Sequence, residues 1–239
     1  MKRRDFLRTT ALGAAMAVAP ISFSALGNAT KKKATRSGHL NLSFEPYELR
    51  LRHAFNLARS QRTTTPDVQV RLEYDGLIGY GEASMPPYLG ESVESVCSFL
   101  NRLDLGQFTD PFRIEDIHDY MDSVAPNNRA AKASVDIALH DLLGKIMGQP
   151  WYKIWGLNPD KCPNTSFTIS YDADPKEMNA KIDETAPYKV IKIKMGLDHD
   201  KELVEAIRAR TNVPICVDAN QGWDSKEKAL EMCHYLADK

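Results

Sequence analysis

Hydrophobic and polar positions alternate along residues 39–84. Apolar side chains stand at every second position from Val68 to Leu72, which is typical of a strand with one buried face. The dipeptide Asp75-Gly76 follows, and this pair favours a tight hairpin turn. The pattern predicts a small antiparallel meander of strands.

The spacing of apolar positions changes to three and four residues after the polar loop of residues 84–91. That period is typical of helices with one buried face. The predicted helices cover about residues 92–103, 113–123 and 128–147. Gly148 and Pro150 follow the last one, as is common at a helix C-terminus.

Strand and helix patterns alternate from about Cys162 onward. The strand-like stretches are TSFTISYD, VIKIKMG and VPICVDAN, and helical patterns begin near residues 175, 200 and 225. Such units predict parallel strands with helical crossovers, in an open sheet or a closed barrel. The sequence has no glycine-rich phosphate loop, which argues against a nucleotide-binding open sheet. The fold class is therefore predicted to be α/β.

Charge is balanced along the chain, with 31 Lys and Arg against 32 Asp and Glu in 239 residues. A chain without excess positive charge lacks the overall field that would attract nucleic acid or an anionic membrane. We therefore expect neither nucleic acid nor an anionic membrane as a partner.

The N-terminus has the pattern of an export signal. Arg3 and Arg4 precede a mildly apolar, alanine-rich segment that ends in small residues, which resembles a twin-arginine signal. A membrane anchor is the alternative, but Pro20 and the nearby serines make the segment weakly apolar for a stable span. We predict a signal peptide and linker over residues 1–37, export to the periplasm, and no stable membrane span after export.

Two lysines interrupt the second strand of the alternating region. Lys192 and Lys194 share one face of the strand, because residues two apart point the same way. The other face carries Ile191, Ile193 and Met195. A half-exposed strand with solvated lysines would explain this pattern, but a strand between crossover helices is normally covered on both faces. The pair therefore suggests a functional site.

An acidic residue follows in the next unit. Asp218 and Asn220 lie near the end of the third strand and on a common face. Ligands bind at the carboxyl ends of strands in α/β folds. Asp218 could simply cap the turn after its strand, but the neighbouring lysines favour a metal ligand.

These residue types suit removal of a proton from carbon next to a carboxylate. Such a proton is weakly acidic, so a cation must stabilise the charge that develops on the carboxylate oxygens. Mg²⁺ prefers carboxylate oxygens. We predict that Lys194 is the base, and that Lys192 lowers the pKa of that base and holds negative charge on the substrate.

Several segments together resemble the enolase superfamily, in its muconate-lactonizing subgroup. They are GYGEAS with the following MPPYLGES, RAAKASVDIALHDLLGKIMGQPWYKIWG, KIKMG and VDANQGW. The resemblance implies a capping domain over residues 38–160 and the start of a modified TIM barrel over residues 161–239. It also implies catalytic Lys192 and Lys194, a metal ligand at Asp218, one Mg²⁺ per active site and a site-proximal Asn220.

Within the subgroup the chain looks most like dipeptide epimerases. The resemblance implies a dipeptide substrate bound by Thr168, Lys192 and Tyr88 of the capping loop, and an enzyme that could form a homo-oligomer. Tyr88 stands where relatives acting on Ala-Glu can carry an arginine, which argues for a less polar substrate side chain; simple loop packing is the alternative for Tyr88.

Other readings remain open. The same site would serve an N-acylamino acid racemase, a cycloisomerase or an o-succinylbenzoate synthase. A complete barrel needs about 250 residues, so the remaining metal ligands and the second catalytic lysine are expected beyond residue 239. A catalytically inactive fragment is therefore the third alternative.

Overall fold

The computed structural model describes residues 38–57, 60–86, 89–220 and 222–239. The predicted signal peptide over residues 1–37 and the predicted substrate residue Tyr88 lie outside the described residues. We use "N-terminal part" for residues 38–165 and "C-terminal part" for residues 166–239.

The N-terminal part begins with a three-stranded antiparallel sheet in the order β1-β2-β3. The strands are β1 (Asn41–Leu57), β2 (Ser60–Tyr74) and β3 (Leu77–Ser84). The apolar positions from Val68 to Leu72 are fully buried, as their alternation predicts. Asp75 and Gly76 both have positive φ, 49° and 83°, which is the geometry of a two-residue hairpin turn.

Strand β1 contains an irregularity that the sequence pattern does not predict. Arg50 pairs with Thr64 and Phe55 pairs with Arg62, so residues 51–54 stand opposite Thr63 alone. Extra residues on one strand bend it and turn its side chains in new directions. We call residues 51–54 the β1 bulge.

Helices cover one face of this sheet. They are α1 (Val93–Leu100), α2 (Ile114–Val124), α3 (Arg129–Met147) and the short α4 (Trp151–Ile154). The first three lie within a few residues of their predicted ranges. Helix α3 ends at Gly148, whose φ of 63° is the left-handed conformation of a helix C-cap.

Helix α3 crosses β3 so closely that two strand positions require glycine. A Cβ atom on Gly81 would lie 1.9 Å from the carbonyl oxygen of Ser134, and one on Gly79 would lie 2.0 Å from that of Ala138. The helix contributes the centre of the first hydrophobic cluster. Its members there include Ala131, Val135, Ala138, Leu139, Leu142 and Leu143.

The C-terminal part consists of three strand-helix units with a parallel sheet in the order β4-β5-β6. The strands are β4 (Ser166–Ser170), β5 (Val190–Lys194) and β6 (Ile215–Asp218), and the helices are α5 (Pro175–Asp183), α6 (Asp200–Arg208) and α7 (Lys226–Ala237). The α/β fold class is thereby confirmed. The boundaries placed after residues 37 and 160 stay predictions.

The helices bury the apolar face of this second sheet. Ile191, Ile193 and Met195 are buried and pack in one cluster with residues of α6 and with Met232 of α7. The two lysines of β5 therefore project from the opposite face. In the described part of the chain, no helix combines the length and the apolar character needed to cross a membrane.

Candidate active site

Neighbouring parallel strands bring the two lysines and the aspartate together. Lys194 is in register with Asp218 of β6, and Lys192 is in register with Cys216. Residues two apart on a strand point to the same face, so all these side chains share the face away from the helices. The predicted proximity of Lys192, Lys194 and Asp218 is present in the structure.

One carboxylate oxygen accepts from both ammonium groups. Lys194 Nζ lies 2.8 Å and Lys192 Nζ 2.9 Å from Asp218 Oδ2. The Lys194 side chain is 12% exposed and that of Lys192 is 32% exposed. Lys194, near the carboxyl end of β5, is thus the more enclosed of the two.

Asn220 completes the polar cluster. Lys194 Nζ donates to Asn220 Oδ1 at 2.7 Å, and the backbone N–H of Asn220 donates to Asp218 Oδ1 at 3.1 Å. Asn220 has φ of 46°, a left-handed conformation that asparagine tolerates better than most residues. Asp218 therefore caps the turn after β6 and also pairs with both lysines. Its role as a metal ligand stays a prediction.

The ion pairs dominate the electrostatics. Hydrogen bonds from Lys194, the larger cause, and from Lys192 hold the pKa of Asp218 well below its usual range. This carboxyl group is therefore ionised at neutral pH. The same contact with Asp218 raises the pKa of Lys192. The shared carboxylate therefore outweighs the partial burial of Lys192, which acts in the opposite direction.

The described residues supply part of a metal-binding shell. Asp218 brings a carboxylate and Asn220 an amide oxygen to this place, and both are ligands that Mg²⁺ accepts. Among the residues that the structure describes, no group of three or more His, Cys, Asp or Glu could hold a metal ion. The described residues thus fit Mg²⁺ as a partial ligand set, with Asp218 as its one carboxylate.

Strand β4 adds hydroxyl groups beside the lysines. Thr168, the predicted substrate residue, is in register with Lys192, and Ser170 is in register with Lys194. Ser170 is buried, and the sequence analysis does not predict it as a site residue. Its position two residues after Thr168 would have indicated a place on the same face of β4.

The N-terminal part also contributes to the surroundings of Lys194. The ring centroid of Phe55 in β1 lies 5.9 Å from Lys194 Nζ. A cavity of about 270 Å³ lies beside it, between residues 51–55 and residues 167–170. Thr168 lines this cavity. No sequence pattern pointed to Phe55, because its contact joins segments that are far apart along the chain.

Two family models match the chain. Residues 45–156 match the mandelate racemase / muconate lactonizing enzyme, N-terminal domain. Residues 176–239 match the enolase C-terminal domain-like family.

Characterised relatives are epimerases and racemases. The chain is 54% identical to an L-Ala-D/L-Glu epimerase of Bacteroides thetaiotaomicron over 99% of this chain and 63% of that protein. It resembles the dipeptide epimerase of Enterococcus faecalis, solved with Mg and the dipeptide L-Leu-L-Tyr, with a TM-score of 0.71 and 27% identity over 84% of this chain and 58% of the other. It also resembles the N-succinyl Arg/Lys racemase of Bacillus cereus, with a TM-score of 0.69 and 29% identity over 84% of this chain and 57% of that one.

The chain therefore spans less than two thirds of the length of these relatives. Its two sheets, their helices and both matched domains nevertheless have the same order as in a capping domain followed by the start of a barrel. The chain belongs to the mandelate racemase and muconate lactonizing enzyme group of the enolase superfamily.

Proposed function

We propose that this chain carries part of the active site of a dipeptide epimerase. The observation that carries this proposal is the meeting of Lys192, Lys194 and Asp218 at the carboxyl ends of adjacent parallel strands. Strands of a parallel sheet are normally apolar on both faces, so two lysines on the face away from the helices favour a functional role over a structural one. The names of the relatives support a substrate with an α-proton next to a carboxylate.

Lys194 is the proposed base. Its Nζ would give up its own proton to solvent and then take the α-proton of the substrate. Lys192 would stay charged, as its raised pKa favours, and would attract the negative charge on the substrate carboxylate. Inversion also needs a proton donor on the opposite face of the α-carbon, which we place outside the described residues.

Asp218 would hold the metal ion in this arrangement. Mg²⁺ would supply positive charge to the carboxylate oxygens of the substrate as its α-proton leaves. The ionised state of Asp218 suits that role, because Mg²⁺ binds carboxylates rather than carboxylic acids. Asn220 would keep the turn after β6 in place through its backbone contact with Asp218.

The substrate side chain is proposed from the relatives. The L-Ala-D/L-Glu epimerase of Bacteroides thetaiotaomicron makes L-Ala-L-Glu the first dipeptide to assay. The Enterococcus faecalis structure with L-Leu-L-Tyr makes an apolar dipeptide the second. Tyr88 stands where relatives that act on Ala-Glu can carry an arginine, which favours the apolar dipeptide. The two dipeptides should therefore be compared directly.

The experiment follows hydrogen exchange at the α-carbon in D₂O. In the full-length protein, Lys194→Ala is expected to abolish exchange from one stereoisomer of the dipeptide, because the base on that face is gone. Lys201→Ala is a matched control, since Lys201 is half-exposed and pairs with Glu231 on the helix side of the C-terminal part. Undiminished exchange from both stereoisomers in Lys194→Ala would refute the assignment.

An N-acylamino acid racemase is the second candidate. The likeness to the N-succinyl Arg/Lys racemase of Bacillus cereus favours it, and the same lysines would serve that reaction. Parallel assays with L-Ala-L-Glu, L-Leu-L-Tyr and N-succinyl-L-Arg separate the two candidates. A kcat/KM higher for N-succinyl-L-Arg than for either dipeptide would replace the first proposal by the second.

A further inference from the structure

The two parts of the chain bury separate hydrophobic clusters. Among the described residues, the first cluster is built from the first sheet and α1 to α3, the second from β4 to α7, and they share no member. Where β1 approaches β4, the cavity of about 270 Å³ takes the place of dense packing. Apolar contacts alone therefore do not fix the β1 bulge on the second sheet.

Polar contacts from the β1 bulge bridge this gap. His53 Nε2 lies 3.1 Å from Glu184 Oε1, and His53 Nδ1 lies 3.4 Å from Glu177 Oε2. Both acids belong to α5 or its C-cap. Each ring nitrogen of His53 therefore faces a carboxylate of the C-terminal part.

These contacts differ in how well they are shielded from water. The side chains of His53 and Glu184 are each 21% exposed, so their hydrogen bond is partly shielded from water. Arg52 also reaches Glu184 at 2.9 Å, but its side chain is 79% exposed, and exposed ion pairs contribute little. The His53–Glu184 contact is thus the main polar attachment of the β1 bulge to α5.

The attachment lies close to the proposed catalytic amine. Phe55 is two residues beyond His53, and its ring covers Lys194 Nζ at 5.9 Å. An aromatic face attracts an ammonium group at this distance and excludes water from it. Whatever holds His53 in place therefore also limits the positions open to Phe55.

We propose that His53 and Glu184 are positioning residues, which hold the β1 bulge on α5 and thereby keep Phe55 over Lys194. The catalytic consequence rests on the proposed function, whereas the attachment itself does not. Neither residue contacts Lys194, so both would act through Phe55. The attached state would be the one competent to bind substrate.

The kinetic signature follows from that role. When a substitution lowers the fraction of molecules in the competent state, the apparent affinity for substrate falls by the same fraction. Glu184→Ala is expected to raise KM about tenfold while kcat at saturation changes less than twofold. A substitution that merely unfolds part of the sample would instead lower the apparent kcat and leave KM unchanged.

Amide hydrogen exchange tests the attachment without any assay of activity. In the full-length protein, Glu184→Ala and His53→Ala are each expected to speed exchange at residues 50–57 about tenfold. The double variant should add little, because each single variant already removes the shared His53–Glu184 contact. His53→Gln, which keeps a side-chain N–H donor, should recover part of the protection. Exchange in α3 should stay at the wild-type rate and so report that the fold is intact.

Asp183→Asn is the matched control. Asp183 precedes Glu184 and carries the same charge, but it pairs with Arg210 within the C-terminal part. This substitution should change neither the amide exchange at residues 50–57 nor the KM.

Three outcomes would overturn the proposal. Unchanged exchange at residues 50–57 in Glu184→Ala would show that the contact does not hold the β1 bulge. An equal effect of Asp183→Asn would show a general charge effect of the helix end. Faster exchange with an unchanged KM would separate the attachment from substrate binding. If the wild-type protein epimerises no dipeptide, the proposed function fails. The amide hydrogen exchange of the variants would still decide whether the His53–Glu184 attachment exists.

Discussion

Asp67 of β2 is a buried carboxyl group on the side of the strand opposite to Val68. It is 1% exposed, and its Oδ2 has no hydrogen-bond partner among the described atoms. Burial is the largest cause, and the neighbouring carboxyl group of Glu82 adds to it; together they raise the pKa of Asp67 from 3.8 to about 7. The neutral acid of Asp67 therefore predominates in the folded protein below about pH 7.

This shift predicts a pH-dependent stability. Because the pKa of Asp67 is higher in the folded than in the unfolded chain, the folded state binds more protons between pH 4 and pH 7. Its contribution to stability is therefore present below about pH 4 and is lost as the pH rises through about 7. Between pH 5 and pH 8 the wild type should therefore lose on the order of 2 kcal/mol of its free energy of unfolding. Asp67→Asn should abolish this loss, which urea unfolding at the two pH values measures.

The exposed Asp198 provides the control for that measurement. Asp198→Asn removes the same charge without a buried partner and should leave the pH dependence of the unfolding free energy as in the wild type. A parallel pH dependence in wild type and Asp67→Asn would contradict the raised pKa.

The secondary-structure elements were predictable wherever one face is buried. Periods of two and 3.6 residues report burial directly, so β2, α3 and the three strand-helix units lie where the sequence places them. The β1 bulge was not predictable, because it depends on pairing between β1 and β2 rather than on a local pattern. The close crossing of α3 over β3 likewise depends on tertiary packing.

That crossing predicts different effects for two glycine substitutions. Gly81→Ala would bring Cβ to 1.9 Å from the Ser134 carbonyl oxygen, so the helix must shift, at a cost of about 3 kcal/mol. Gly144→Ala within α3 meets its nearest atom at 3.4 Å and should be neutral or stabilising by about 0.5 kcal/mol. Thermal or urea unfolding of both variants measures the difference, and equal effects would contradict the close approach.

At the scale of the whole molecule, the sequence predicts about half of the residues that surround the proposed site. The proximity of Lys194 and Asp218 follows from adjacent parallel strands, whose carboxyl ends meet at one edge. The contributions of Phe55 and His53 could not be foreseen, because their partners lie far away along the chain; His53 and Glu184, for example, are 131 residues apart. The chemical roles of the predicted site residues stay predictions.

The separate hydrophobic clusters predict that the two parts lose stability separately. Leu139→Ala in the first cluster and Ile193→Ala in the second each remove a fully buried side chain, at a cost of about 2–5 kcal/mol. Because the two clusters share none of the described residues, each substitution should speed amide exchange mainly in its own part. Equal acceleration throughout residues 38–239 in both variants would show one cooperative unit instead.

The β1 bulge has a consequence for protein engineering. Residues 51–54 are outside the register of β1 with β2, so their side chains can be exchanged without breaking the ladder that holds the sheet. They also line the cavity beside Thr168. A library confined to Leu51 and Ala54, with His53 retained, would therefore vary the wall of that cavity while the scaffold keeps its strand pairing.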